Sequence, residues 1–458
     1  MRTYVEPALH AWAVGNPSAD VAADRAAIAR RVAEHADRLG TGKLSDPPGR
    51  IIGTGHQAWL WHPGILAKDL AMMAACRRFN ASPLHLIVDQ DAHEALTLEL
   101  PRKVGRRIET RSLRLASHRS DVPTGEQPAA DAAAVRRVLM EADDERLVPI
   151  IEAFEGLPNC RTLAEQLAVV TVRLMRPWLG GDVPVLFVSD LADVPGYAKL
   201  IQQMVADAWR CVRAYNTAVR RTFGAGLTEL TAMRELVELP VWSVQWGRPR
   251  GRVFVDLGDS TPMLVDERGE PINREAVRLL PRALLLTAVM RSIGCDVFIH
   301  GKGGGVYDLA MERWWESWQG GPLAPRAVVS ADVYLPFDDV PVAGQDELAK
   351  AVWFRHYVPH NVDRVLGVDG PTVRAKRDLL REMDRDRNRK RRRHAFERLH
   401  ATNDQLLAEH PALLARADQR LADARQGVIN AQLTGRRDWC FALYPPARLS
   451  ELRSALSS

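Results

Sequence analysis

The chain has 458 residues, 46% of them hydrophobic, and a formal net charge of +5. That length admits about three domains and that composition a substantial core, which excludes a disordered or fibrous protein. No apolar run approaches the roughly 20 residues of a membrane helix, and Met1 to His10 lacks the layout of a signal peptide, so a cytoplasmic protein with no membrane partner is expected.

In chain order, Asp20 to Leu39 places Ala, Ile and Val at helical intervals and predicts a leading helix. The stretch from Arg50 to Glu94 then reads as one β-loop-α-β unit. Ile51 and Ile52 are a short strand that Gly53-Thr54-Gly55 is predicted to close as a sharp turn bearing His56 and Gln57. Pro63-Gly64 suits a first helical turn, and Ile65, Leu66, Leu70, Met73 and Ala74 keep helical spacing as far as Phe79-Asn80. A second strand, Leu84 to Val88, runs into Asp89-Gln90-Asp91-Ala92-His93-Glu94. Ligands of parallel α/β sheets bind outside the carboxyl ends of the strands. His56, Gln57 and Asp89 to His93 should therefore face one crevice near a helix N-terminus, a setting suited to a nucleotide phosphate.

Beyond Glu94, Leu96 to Leu115 reads as extended or irregular, followed by helices over Ala129 to Ala142, Leu147 to Phe154 and Leu163 to Trp178. Val183 to Val188 is a buried strand ending at Ser189-Asp190, Tyr197 to Phe223 one long helix, and Leu239 to Leu264 a small β portion. Leu279 to Arg291 reads as helical. Val297-Phe298-Ile299 is a strand ending in His300-Gly301-Lys302-Gly303-Gly304-Gly305, which opens a helix predicted from Val306 to Trp318. This glycine run either lets backbone amides approach a phosphate, with Lys302 as a point charge, or merely lets the strand enter its helix; it matches neither the P-loop nor the dinucleotide fingerprint.

Pro371 to Glu409 reads as one helix, and Pro411 starts another. Leu407, Leu414, Leu421 and Val428 recur every seven residues, the seam of a coiled coil. Arg387, Arg389, Lys390, Arg391, Arg392 and Arg393 crowd into seven positions. Asp384 and Asp386 precede them and Phe396 is the one aromatic nearby, so a solvated helical face is favoured over a nucleic-acid contact. The five scattered cysteines form no C-x-x-C pair, which points away from disulfides and a zinc site.

These pieces, in this order, resemble the BshC family, the cysteine-adding enzymes of bacillithiol synthesis. Ile52 to Leu60 is similar to the family's T-G-Q-Q-x-G-L segment and Leu86 to Glu94 to its strand ending in E-D-H-D. Val185 to Asp190, Phe298 to Tyr307, Pro322 to Arg326 and Trp439 to Pro445 also match in sequence order. His56 stands where the family has its first glutamine, and Gly301 to Gly305 replaces a glycine-proline-glutamate loop.

The resemblance implies an α/β fold: a Rossmann-like parallel sheet core resembling class I aminoacyl-tRNA synthetases, with a helical insertion and a C-terminal coiled-coil arm. The implied division is 1–120 for the first half of the core, 121–275 for the insertion with a core strand near 183–190, 276–370 for the second half, 371–435 for the arm and 436–458 for a docking tail. The implied function is a ligase joining cysteine to a glucosaminyl-malate-type amine, with ATP or ADP, magnesium with the phosphates, and a homodimer formed through the arm. His56 and Lys302 would offset phosphate charge, and Asp91 with His93 would orient or deprotonate the amine. Asp89 and Asp190 would contact ribose or ammonium groups. Gly53, Thr54, Gly55, Gln57, His300, Gly301, Gly303, Gly304 and Tyr307 complete the expected site, with no dedicated metal ligands. A nucleotidylyltransferase acting on a small molecule is the alternative enzyme, and nucleic-acid binding through Arg387 to Arg393 the non-catalytic one.

Overall fold

The strand pattern read from the sequence assembles into one central sheet. In the computed structural model, which describes residues 1–16, 18–45, 48–258 and 261–457, its six strands are β1 (Arg2–Glu6), β2 (Ile51–Gln57), β3 (Ser82–Val88), β4 (Val185–Phe187), β5 (Val297–His300) and β6 (Arg326–Asp332). Their spatial order is β1-β6-β5-β2-β3-β4. Strands β2 to β6 run parallel, and β1 pairs antiparallel with β6 at the edge. The parallel strands thus wind outward from the β2–β5 pair in both directions, the arrangement of a doubly wound α/β sheet.

Alternation along β3 decides what packs on each face. Leu84 and Leu86 join a cluster with Ala27, Ile28 and Val32 of helix α1 (Ala22–Leu39). His85 turns the other way and meets Asp69 of helix α2 (Pro63–Phe79), with its Nδ1 2.6 Å from Oδ1. Helix α2 begins at Pro63, where the missing amide costs nothing, and ends on Asn80 at φ 50. Helix α3 (Leu163–Leu179) follows in the insertion, and helix α4 (Lys302–Trp318) places Trp314, Trp315 and Trp318 in the same cluster as Leu84.

Four readings of the elements need correction. Gly53-Thr54-Gly55 is not a turn but the middle of β2, because neighbouring groups crowd this strand: a Cβ on Gly55 would lie 2.6 Å from the Leu86 carbonyl oxygen. Helix α4 begins at Lys302 rather than Val306, so the glycine run is its first turn. The long helix from Tyr197 breaks at Asp207 into Pro195–Ala206 and Ala208–Arg220. Arg278–Pro281 is a strand, paired with Val241 to Val244, before the short helix Leu284–Val289. The strands Thr97–Val104 and Arg107–Arg114 occupy the stretch read as extended or irregular, in agreement with the first of these. A second, antiparallel sheet contains Leu236–Val244 and Gly251–Asp256, with a register shift between Leu239 and Trp242.

The chain divides into two compact units, one formed by Met1–Leu100, Ser112–Leu335 and Arg437–Ser458, the other by Pro101–Arg111 and Pro336–Arg436. The second holds α5 (Gln345–Tyr357), α6 (Pro371–Arg385), α7 (Arg389–Glu409) and α8 (Pro411–Thr434). The helix read as continuous from Pro371 breaks over 386–388. Asn388 caps α7 by accepting from the amides of Lys390 and Arg391. The seven-residue column is not the buried seam throughout: Leu414 and Leu421 are half-buried, whereas Leu413 and Ala417 join Val358, Val362, Val373 and Leu406 in the core. Buried Asn430 accepts from the Ile108 amide and donates to the Arg106 and Pro341 carbonyls. The cations from Arg389 to Arg393 are exposed.

In the first unit, the segment after Arg437 is buried by its aromatics. Trp439 is 1% exposed, the Phe441 amide donates to the Trp61 carbonyl, and helix α9 (Pro446–Ser457) contributes Leu449, Leu452 and Leu456 to the interior. Among the described residues no helix is long and apolar enough to cross a membrane.

Candidate active site

A doubly wound sheet opens a crevice where its winding reverses, here between the carboxyl ends of β2 and β5. A cavity of about 700 Å³ lies there. Its floor carries Gly55, His56 and Gln57 from β2, Gln90 and Asp91 after β3, and His300 at the end of β5 with Gly301 after it. Helix α4 contributes Lys302, Gly303, Gly304 and Tyr307, and α2 contributes Lys68. Trp242, Arg250 and Arg282 close the other side from the antiparallel sheet and the turn after it. The register shift beside Trp242 is a bulge, a device that re-aims a side chain. Two guanidinium groups lie over the Trp242 ring, Arg250 at 4.5 Å and Arg282 at 4.4 Å from its centre. Ala283, also in the lining, has φ 39, a strained value for a residue with a Cβ and one that concentrates at functional sites.

The polar groups are paired in a definite pattern. Asp91 accepts from Arg250 at 2.5 Å and from Gln57 Nε2 at 3.1 Å. Arg282 donates to Glu238 at 2.7 Å. Burial, with the Lys68 ammonium beside it, holds His56 well below the ordinary histidine range, so its imidazole is neutral at pH 7. Its Nδ1 is buried without a hydrogen-bond partner. His62 caps α2 by accepting from the Gly64 amide and is lowered to about 4, first by burial. Burial likewise lowers His300 against the pull of Asp308, whose Oδ2 is 3.3 Å from Nε2. Burial raises Tyr307 to about 12, which keeps its hydroxyl a donor. Buried Lys68 donates to the Gly55 carbonyl and is pushed down to about 8 by burial.

Ten of the residues expected from the sequence line this cavity: Gly55, His56, Gln57, Asp91, His300, Gly301, Lys302, Gly303, Gly304 and Tyr307. Two of them sit in electrostatic surroundings different from those expected. His56 is neutral and offers a hydrogen bond rather than a charge. Lys302 is half-exposed, 3.6 Å from Asp332 and over the Tyr4 ring, so its charge is partly engaged.

Five expected residues lie outside the lining. Gly53 faces Phe298 and Cys295 within the sheet, and Thr54 is fully buried, donating to the Ile299 carbonyl. His93 has its Nε2 3.2 Å from the Ala58 carbonyl and packs edge-on to Trp59; burial lowers its pKa and outweighs the opposing pull of Asp91. Asp190 receives Arg31, His35 and the Phe187 amide and is a structural anchor. Asp89 accepts from the Ser189 amide and lies against Gly125. Lys68, Trp242, Arg250 and Arg282 were missed. Lys68 left a signal, since Lys68-Asp69 are the two charges in an otherwise apolar run from Pro63 to Cys76, and a helix apolar all round is buried all round.

Burial pushes the Asp89 carboxyl up to about 7, even though the Ser189 amide bonds to it. A carboxyl raised above its unfolded value favours folding fully only below that value, near 4, and the contribution is lost as pH rises from about 4 to about 7. Asp89→Asn is therefore expected to raise the melting midpoint by roughly 2–4 °C at pH 8 and to change it little at about pH 4, as differential scanning calorimetry at the two pH values would show.

A larger cavity of about 880 Å³ lies between Arg173, Trp178, Phe441 and Tyr444, away from the strand ends. Among the described residues no group of three His, Cys, Asp or Glu side chains is placed to hold a metal ion. Compared with known proteins, the chain matches no family model and no curated protein.

Proposed function

We propose that this protein is a carboxylate–amine ligase of the kind the BshC resemblance implies, joining cysteine to an amino-sugar acceptor with a nucleotide as the activating co-substrate. The observation that carries this reading is the meeting of a glycine-rich helix N-terminus with the polar end of β2 in one cavity at the winding reversal. A carboxylate is inert toward an amine until a good leaving group is attached. Such a site must hold phosphate oxygens and shed water while an amine is brought close. The residues fit a nucleotide: the α4 amides of Lys302, Gly303 and Gly304 precede its first bond, from Gly305 N to the Gly301 carbonyl, and Lys68 and Lys302 bring positive charge.

A nucleotide bound there supplies the phosphate or adenylate that activates the carboxyl. Within this reading Asp91, fixed by Arg250 and Gln57, receives the substrate ammonium and orients it. His56 and Tyr307 add neutral hydrogen bonds, and Trp242 with its two arginines forms a rigid wall against the acceptor. Magnesium is proposed to enter on the phosphates, held by them and water. The likeness to class I synthetases is part of the same proposal. Purified protein with cysteine, ATP and glucosaminyl-malate, followed by mass spectrometry, tests it. The amide is expected, and absence of both product and cysteine-dependent nucleotide turnover in folded protein rejects it.

The helical unit is proposed to pair two copies of the chain. Val352, Trp353, Leu366, Leu380, Phe396 and Ile429 are large apolar side chains of this unit left exposed, and such surface marks association sites. Sedimentation velocity is expected to give a dimer, and Trp353→Asp combined with Phe396→Asp a monomer of unchanged helicity. A dimer that survives both substitutions removes this proposal.

A further inference from the structure

Lys68 is unusual among the cations around the cavity. It is 3% exposed, on the side of α2 that faces the end of β2, and its ammonium has three N–H donors. Among the described residues the Gly55 carbonyl is its one hydrogen-bond partner, and it forms no ion pair. The adjacent Asp69 carboxylate stabilises the ammonium only in part: it forms no ion pair with it, its Oδ1 is 2.6 Å from His85, and burial outweighs its pull on Lys68. The imidazoles around it are neutral: His56, His62 and His300 are all lowered chiefly by burial. The other cations have carboxylates of their own, Arg250 on Asp91, Arg282 on Glu238, and Lys302 and Arg437 on Asp332. Burying a charge costs several kcal/mol, which one neighbouring carboxylate shared with a histidine offsets only in part. A structural hydrogen bond to one carbonyl does not require that cost, because a neutral donor would make it.

A second counter-charge has a place to sit. Lys68 lines the same cavity as Gly303 and Gly304, whose amides open helix α4 with no carbonyl one turn earlier to receive them. Two independent features thus ask for negative charge in one cavity: unfilled donors on a buried ammonium and the positive end of a helix dipole. Gly304 packs directly on His300, since a Cβ there would lie 2.9 Å from His300 Nδ1.

We infer that the inner wall of the cavity is an oxyanion subsite in which the Lys68 ammonium and the first-turn amides of α4 together bind a phosphate or carboxylate of the ligand. The subsite supplies the charge sequence reasoning assigned to His56, and it rests on the ligase reading for what the oxyanion belongs to. Lys68 trades stability for binding. Removing its charge should make the empty protein more stable and the ligand weaker, whereas a structural lysine would do the opposite.

The test is Lys68→Met, beside Lys68→Arg, studied by calorimetric titration with inorganic pyrophosphate and separately with cysteine, and by thermal unfolding without ligand. Lys68→Met is expected to lower the affinity for one of the two at least tenfold and to raise the melting midpoint of the empty protein, while Lys68→Arg keeps the affinity within tenfold. The ligand that loses affinity identifies the oxyanion as phosphate or amino-acid carboxylate. Unchanged affinity for both, or a Lys68→Met protein that melts lower or does not fold, overturns the subsite. Pyrophosphate binding through Lys68 without amide formation leaves the subsite and removes the ligase. Amide formation by Lys68→Met at the unmodified rate removes the subsite and leaves the ligase.

Discussion

Replacing Asp190 with alanine is expected to destabilise the first unit by about 3–5 kcal/mol, the range for breaking one partner out of a buried ionic network. Its carboxylate is 2% exposed and receives His35 Nε2 at 2.8 Å, Arg31 at 2.8 Å and the Phe187 amide at 2.8 Å. Loss of the carboxylate leaves a buried imidazole and a strand-end amide without partners, and it frees α1 from the end of β4. Burial alone would raise this carboxyl; the bonds from His35 and the Phe187 amide, with Arg31, outweigh it and hold it below the ordinary range. A depressed carboxyl contributes stability above its unfolded value near 4, and the contribution is lost as pH falls through the folded one. In urea titrations the gap between the unmodified protein and Asp190→Asn should be widest near pH 7 and shrink below about pH 4. A gap that is flat with pH would mean that the carboxylate does not carry the anchor.

Gly55→Ala is expected to remove most of the site's activity, on the order of 100-fold, from one methyl group. That Cβ would stand 2.6 Å from the Leu86 carbonyl oxygen and 2.9 Å from the Leu86 Cβ, so relief requires β2 to move away from β3. The neighbours are backbone paired in register from Ile51 to Gln57, and they cannot give locally. A shift moves His56 and Gln57 together with the Gly55 carbonyl that anchors Lys68, and a displacement near 1 Å costs about 10²-fold in a positioned reaction. The overpacking itself costs about 1–3 kcal/mol. Steady-state kinetics on the amide-forming reaction, with unfolding measured alongside, separates the two; activity within threefold of the unmodified protein contradicts the assigned role of this strand end.

What could be read in advance follows from the range of the forces concerned. Helix α2 was legible to within a residue because Pro63 at its start and Asn80 at its end are local signals. The glycines of β2 were misread as a turn because the reason for them, the press of Leu86, Phe298 and Cys295, comes from strands that are remote in the chain. Polar residues at strand ends were sound guides to the cavity and poor guides to role. Asp190 looks like a ligand residue until Arg31 and His35, more than 150 residues away, arrive to pair with it. The opposite wall, from Trp242 to Arg282, depends on how a second sheet folds back, and nothing in its local pattern says so. Of the missed groups only Lys68 left a mark, as a charge inside an apolar helix.

The most direct test of the account is a crystal structure with a non-hydrolysable ATP analogue. The prediction is density at the reversal between β2 and β5, with phosphate oxygens within hydrogen-bonding distance of the Lys302 to Gly304 amides and of Lys68. An analogue seated instead in the larger cavity beside Trp178, Phe441 and Tyr444, with the strand-end cavity left empty, would contradict it.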